Sequence, residues 1–279
     1  MELTKNYISS LLPKRLKDAN KGTFGKVLVI AGSENYPGAA YLSCAAAYRV
    51  GVGLVSLATT NDVKIIVSRK LPEVTFLLRN EIEKKLLGYK VLLIGPGLGQ
   101  KDKARELVHN FMMYPHKMVI DGDGLNLLSK EENWWNKIGR DVVLTPHPGE
   151  MSRLTGFSIE KIQQDRENIT RQFAKKWQKT IVLKGANTII ASPRGKVAIS
   201  PFVNPLLATA GTGDVLAGIV AGFLTQGLNT FDAACCGVYV HGVAGETLKE
   251  KIGSAGGLAS DLLPLIPKAL LNISKQRIG

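Results

Sequence analysis

The chain has 279 residues, 45% of them hydrophobic and 6% aromatic, with 29 glycines and a formal charge of +13. That length and apolar content suffice for one sizeable core and exclude a disordered chain, while glycine without a repeat points to tight turns and close backbone approaches rather than to collagen. The charge is carried by scattered lysines with no arginine-rich run, zinc-finger spacing or aromatic-basic interleaving, so no nucleic-acid partner is expected, whereas an anionic small molecule is well suited.

Cys44, Cys235 and Cys236 fit neither a disulfide framework nor a zinc site. The first residues lack the charged and apolar regions of a signal peptide, and no uninterrupted apolar stretch is long enough to span a membrane. A cytoplasmic protein with no membrane partner is expected.

Residues 1–25 read as a polar lead-in, with Lys14, Arg15, Lys17 and Asp18 around Leu11 and Leu12. Residues 26–32 form a short apolar run ending in Gly-Ser, a buried strand followed by a turn. Pro37 opens a helix of very small residues, stopped by Gly51 and Gly53, and a second strand follows at 54–59. Strand, helix, strand predicts parallel pairing through a right-handed crossover. A short helix at 62–67 and a strand-like run at 73–78 precede the clearest strand, 90–95, which runs into Pro96-Gly97-Leu98-Gly99. A helix at 101–111 leads to a strand at 118–121 that ends in the Asp121 carboxylate. The strand at 142–145 delivers Pro146-His147-Pro148-Gly149-Glu150 and a short helix to Leu154. One amphipathic helix is expected over 158–176, a strand over 180–185, and a hairpin from 187–191 and 196–199. A long helix over 231–248 and a last one over 258–263 precede a short lysine-bearing tail. The pattern predicts a single α/β domain over residues 1–279, with helices on both sides of a mostly parallel sheet. Any ligand crevice then lies beyond the carboxyl ends of the strands.

The chain is organised around residues 204–218. Leu216, Ile219, Val220 and Phe223 recur at helical spacing, so a helix begins between Gly211 and Gly213. A helix start leaves backbone N–H groups unpaired and attracts anions, and glycines let a phosphate approach. Asp214 in the first turn is either a dipole partner for its helix or a general base beside a phosphate nest.

Asp123, His147, Glu150 and Lys184 fall at other strand ends. Each alone has a structural explanation: a cap, a turn residue, a first-turn carboxylate, a snorkelling lysine. Acting together they suggest phosphoryl transfer, with Gly211, Thr212 and Gly213 as an anion hole and Asp214 accepting the proton of an attacking hydroxyl. Neither a P-loop nor a dinucleotide fingerprint is present. Mg²⁺ travelling with a nucleotide is the natural cofactor.

The full set of motifs resembles the ADP- or ATP-dependent NAD(P)H-hydrate dehydratases of the ribokinase-like superfamily. The matching pieces are Gly32-Ser33 with Gly38-Ala39-Ala40, Gly95-Pro96-Gly97-Leu98-Gly99, and Asp121-Gly122-Asp123-Gly124-Leu125-Asn126. Thr145-Pro146-His147-Pro148-Gly149-Glu150-Met151, Lys184-Gly185-Ala186-Asn187-Thr188, the Gly-Thr-Gly-Asp at 211–214 and His241-Gly242-Val243-Ala244-Gly245-Glu246 complete it, and the likeness runs from about residue 20 to 268. Gly-Thr-Gly-Asp alone fits any kinase of the superfamily; the combination is more specific. The chain departs from the family pattern at Thr209-Ala210-Gly211, where a second glycine or a methionine is usual.

The resemblance implies a ribokinase-like three-layer αβα domain. It also implies a lyase for metabolite repair that dehydrates the (S)-epimer of hydrated NADH or NADPH (NADHX, NADPHX) with ADP or ATP as phosphoryl donor. It assigns Asp214 as the base and as a substrate contact, and places Ala39, Ala40, Gly97, Gly99, Asp123 and His147 around the substrate pocket. Lys184, Gly185, Ala186, Asn187, Thr188 and Gly213 go to the nucleotide, and Glu150 to Mg²⁺ through water. A separate NAD(P)H-hydrate epimerase as functional companion and a homotetramer are further implications. The alternatives are a superfamily kinase that stops at a phosphorylated vitamin alcohol or sugar, and a catalytically silent nucleotide-binding protein.

Overall fold

The computed structural model describes residues 1–15, 18–77, 79–112 and 114–274. Lys17 of the lead-in, Leu78 of the strand-like run, and the part of the tail at 275–279 lie outside the described residues. Among the described residues one nine-stranded sheet forms from β1 (Lys26–Ile30), β2 (Leu54–Ala58), β3 (Thr75–Leu77), β4 (Val91–Ile94), β5 (Lys117–Ile120), β6 (Val142–Leu144), β7 (Thr180–Leu183), β8 (Ile189–Ala191) and β9 (Val197–Ile199). The order is β3-β2-β1-β4-β5-β6-β7-β8-β9. Strands β1 to β7 are parallel, and β8 and β9 are antiparallel.

The strands read as continuous apolar runs because both faces of the sheet are covered. Val27, Val29, Leu57, Leu93, Val119, Val143 and Val182 enter one core with the Pro37–Arg49, Thr212–Thr225, Thr230–Ile252 and Ile266–Ser274 helices. Leu28, Ile30, Leu92, Ile94, Ile120, Leu144 and Leu183 enter the other, with the Asp102–Met112, Asp123–Leu128, Pro148–Thr155 and Arg166–Trp177 helices. This is a three-layer αβα arrangement. The Pro37–Arg49 helix is built of small residues because it lies so close to the Thr212–Thr225 helix that a Cβ on Gly218 would come within 2.3 Å of the Ser43 carbonyl oxygen.

The register aligns the strand ends that carry the chemistry. Ile30 pairs with Ile94, Ile94 with Ile120, and Ile120 with Leu144. The amides of Gly95, Asp121 and Thr145 extend that ladder by one residue, donating to the carbonyls of Ile30, Ile94 and Ile120. Strand order reverses between β1 and β4, the place where an open α/β sheet opens a crevice.

Three segments differ from the sequence expectation. The lead-in contains a helix, Lys5–Leu11, capped by Thr4 and anchored by Leu3 and Ile8, which are 1% and 0% exposed. Its two turns are too short for a periodic signal to stand out. The single helix expected over 158–176 is two, Ile159–Gln164 and Arg166–Trp177, broken at Asp165 (φ −140°, ψ 52°). The break turns the Arg166 guanidinium onto the carbonyls of Leu183 and Lys184, at 3.2 and 3.3 Å. The last helix does not end in a tail: the chain continues as Ile266–Ser274, with Ile266, Ala269 and Ile273 buried. Pro267 sits in the first turn of that helix, a position where proline is tolerated. No helix among the described residues is long and apolar enough to cross a membrane.

Candidate active site

The Thr212–Thr225 helix opens on Gly211, whose φ of +91° favours glycine and whose added Cβ would meet Leu42 Cδ1 at 2.7 Å. Thr212 Oγ1 donates to the carbonyls of Leu207 (2.7 Å) and Thr209 (2.8 Å), fixing the turn before the helix. Among the described residues, the backbone N–H groups of Gly213 and Asp214 donate to no protein acceptor. Two aligned, unpaired N–H groups at the positive end of a 14-residue helix form an anion site. Of the expected anion-hole residues Gly211, Thr212 and Gly213, Thr212 spends its N–H on the Thr209 carbonyl at 3.3 Å, and the Asp214 N–H stands beside that of Gly213 instead.

Beside this mouth lies an ionic cluster drawn from three strand ends and the helix itself. Lys184 Nζ donates to Asp121 Oδ1 at 2.6 Å and stands 3.6 Å from Glu150 Oε2. Asp121 Oδ1 also accepts from Thr145 Oγ1 at 2.7 Å. Burial works against the Lys184 ammonium, but Asp121 and Glu150 outweigh it, and its pKa is raised. Glu150 is pushed well up from the usual carboxylate range, by burial first and then by Asp121, against the pull of Lys184. Asp214 is half-buried and is carried from an ordinary 3.8 to about 7, by burial first and then by Asp121, with Lys184 opposing and Glu150 and Asp123 adding to the rise. Among the described residues its carboxylate takes part in no hydrogen bond or ion pair. A carboxylate titrating near neutrality, unpaired and beside an anion site is suited to general-base work.

Two cavities lie along the strand ends, and the second takes one member of the cluster, Lys184, into its lining. The first, about 750 Å³, lies at the β1/β4 switch and is lined by Gly32, Ser33, Gly99 and Asp123 among others. Asp123 is held there by the Gly99 N–H at 2.8 Å, and Ser33 Oγ donates to the Gly97 carbonyl at 2.8 Å. Ala39 and Ala40 are 9% and 0% exposed and do not line this cavity; Gly97 crosses Ala39 so closely that a Cβ would approach it to 2.7 Å. The second cavity, about 680 Å³, is lined by His147, Lys184, Gly185, Ala186, Thr188, Gly211, Thr212 and Gly213. His147, grouped by sequence with Ala39, Ala40 and Gly97, therefore faces the Lys184 side. Asn187 turns away from this cavity, its amide and side chain donating to Phe202 and Ser200 carbonyls.

His147 caps the Pro148–Thr155 helix: its Nδ1 accepts from the Gly149 N–H at 3.0 Å, which leaves the proton on Nε2. Burial, then Lys184 and Arg153, lower its pKa and keep it neutral. Glu150, expected near Mg²⁺, is 5% exposed, and its Oε2 accepts from the His147 N–H at 2.8 Å while facing Lys184. Its other oxygen, Oε1, lies 3.5 Å from His147 Nε2. Among the described residues no group of three or more His, Cys, Asp or Glu could hold a metal ion.

Sequence reading left three contributors out of the site. Asp121 and Thr145 stood in the motifs but had no role, and Arg166 was hidden inside the unbroken helix. A strand-end carboxylate one residue beyond the ladder was the available signal for Asp121; nothing local marked Arg166. Gly185, at φ +140°, passes so close to Arg166 that a Cβ would meet Nη1 at 2.8 Å.

A model of the NAD(P)H-hydrate dehydratase family matches residues 27–268. The chain is 38% identical to the bifunctional NAD(P)H-hydrate repair enzyme Nnr of Moorella thermoacetica, over 98% of this chain and 54% of that protein. It spans about half the length of the first curated relatives it matches, 52 to 54%. The ADP/ATP-dependent NAD(P)H-hydrate dehydratase of Bacillus subtilis, crystallised with ATP and Mg²⁺, superposes with a TM-score of 0.88 at 31% identity, covering 98% of both chains. A ribokinase-like superfamily protein of Enterococcus faecalis V583 superposes with a TM-score of 0.86 at 30% identity, over 98% of this chain and 96% of that one.

Proposed function

Since the chain belongs to the NAD(P)H-hydrate dehydratase family, we propose that it dehydrates (6S)-hydrated NADH and NADPH at the expense of a nucleotide. ADP gives AMP and phosphate, or ATP gives ADP and phosphate. The observation that carries the reading is the unpaired Asp214 carboxylate in the first turn of a helix with free N–H groups, next to the Gly211, Thr212 and Gly213 that line the second cavity.

The chemistry asks little beyond this. Asp214 takes the proton of the C6 hydroxyl as its oxygen forms a bond to the terminal phosphorus and the bond to the nucleotide's bridging oxygen breaks. The Gly213 and Asp214 N–H groups face the charge that develops on the transferred group. Hydroxide leaves poorly, whereas phosphate leaves well: the ring nitrogen's lone pair expels it from C6, and loss of a C5 proton restores the dihydronicotinamide. Holding the two reactants in line supplies much of the remaining acceleration.

The hydrated dinucleotide takes the cavity at Gly99 and Asp123, with Ala39, Ala40 and Gly97 packed behind the residues that line it, and reaches across to Asp214 and, on the nucleotide side, His147. The nucleotide takes the cavity at Lys184, Gly185, Ala186 and Thr188, with Asn187 shaping its loop and Gly213 at the phosphate. Mg²⁺ enters as the nucleotide's own complex; such ions keep waters and phosphates as ligands and need no protein cage. The same reading takes residues 1–279 as one domain acting in the cytoplasm, as a homotetramer, beside an epimerase that interconverts the two hydrates.

The test supplies hydrated NADH with ADP or ATP and follows the near-ultraviolet absorbance of NADH together with released phosphate. Equal yields of both are expected. A stable phosphorylated product without NADH would make the protein a kinase, and neither product would leave it a binding protein.

A further inference from the structure

Asp121 holds no place in the chemistry above, yet it is the most committed carboxylate of the rim. It is 2% exposed, and one oxygen takes both the Lys184 ammonium at 2.6 Å and the Thr145 hydroxyl at 2.7 Å. Its backbone is fixed as well, because its amide continues the ladder to Ile94 and its carbonyl accepts from Gly124. Ile94, Ile120 and Leu144 set the heights of these residues in the sheet, so the pair cannot slide. Lys184, by contrast, ends β7 on a long flexible stem and is 18% exposed at the wall of the second cavity. It points across the helix mouth: a Cβ added to Gly213 would lie 3.4 Å from its Nζ.

We propose that Asp121, oriented by Thr145, is a positioning residue that holds the Lys184 ammonium over the mouth of the Thr212–Thr225 helix, where the transferred phosphoryl group sits. A lysine is a compact point charge with many rotamers, and a buried, doubly hydrogen-bonded carboxylate removes that freedom before any ligand arrives. Its charge also acts on the base. Four charged groups face Asp214: Asp121, Glu150 and Asp123 disfavour its ionised form, and Lys184 favours it. Asp121 thereby sets the height of the lysine and the proton affinity of the base through one pair of contacts.

The inference rests on the dehydratase reading for the role it gives Lys184, so both readouts are chosen to need no turnover. The full chain, as wild type, Asp121→Asn and Thr145→Val, is titrated with ADP by calorimetry, and the Asp214 carboxyl is followed by carbon-13 NMR across pH. In Asp121→Asn, ADP binding is expected to weaken about tenfold, as for loss of a charged anchor, and the Asp214 midpoint to fall by about half a pH unit or more, since a repelling charge is gone. In Thr145→Val, the charge stays but is no longer oriented, so ADP binding weakens about threefold and the midpoint holds. Unchanged affinity and midpoint in Asp121→Asn would overturn the proposal. Should that variant fail to fold, unchanged ADP affinity in Thr145→Val would overturn it. Absence of turnover in the wild type bears on the dehydratase reading alone.

Discussion

Replacing Asp214 by Asn is expected to stabilise the protein while disabling it. The ionised Asp214 carboxylate is kept half-buried beside Asp121, Glu150 and Asp123, with only Lys184 in its favour, and its pKa is carried from 3.8 to about 7. By linkage, a raised carboxylate pKa means that the native state holds the proton more tightly than the unfolded chain. Stability is therefore lost as pH rises from about 4 to about 7, and the whole cost is present above that window. The shift corresponds to at most about 4 kcal/mol, and partial hydration of the group brings the expected gain to about 1–3 kcal/mol. Asparagine is nearly isosteric and carries no charge, so the gain should appear at pH 8 and vanish towards pH 4. Urea unfolding at both pH values measures it, and turnover of hydrated NADH should fall by about 10²–10⁴-fold, the scale for loss of a general base. A variant less stable than wild type at pH 8, or equally stabilised at both pH values, would refute the electrostatic reasoning; unchanged turnover would refute the catalytic role.

The same proton gives a rate profile: kcat/KM should rise with pH and reach half its plateau near 7, where Asp214 ionises. A profile flat between about pH 5 and 8 would contradict the assignment of the base. Arg166→Ala leaves the strand-end carbonyls of Leu183 and Lys184 without their donor. It should cost about 1–3 kcal/mol in urea unfolding and weaken nucleotide binding, read by calorimetry. Gly218→Ala should lower the thermal midpoint through an overpacking cost of about 1–3 kcal/mol, since the new methyl meets the Ser43 carbonyl and the Ala46 side chain. Wild-type stability in that variant would show that the two helices can part.

Most of the frame was legible because parallel strands buried on both faces announce themselves as apolar runs closed by glycine or a polar turn. Residues 26–30, 91–94 and 180–183 are of that kind. The organising helix was legible from Leu216, Ile219, Val220 and Phe223, which supply a buried stripe. Short amphipathic pieces were less so: Lys5–Leu11 buries Ile8 and Ser9, and that is too little to set a period. The break at Asp165 depends on a distant partner, the end of β7, and no local pattern encodes it. The candidate site divides in the same way. Asp214 and the glycines before it could be read from one continuous stretch. The pairing of Asp121 with Lys184 joins residues 63 apart in sequence, and only the register of the sheet brings them together. His147 carried a motif whose partner side could not be read, because its direction is set by the cap it makes with Glu150.

The central claim is that the hydroxyl of the hydrate leaves as phosphate, having been made reactive by Asp214 and loaded by the nucleotide. Its most direct test uses hydrated NADH carrying oxygen-18 at the C6 hydroxyl, turned over with ADP or ATP in unlabelled water. The account predicts one labelled oxygen in each released inorganic phosphate, read by mass spectrometry. Label found in water, with unlabelled phosphate, would mean that the ring is dehydrated without ever being phosphorylated, and would contradict it.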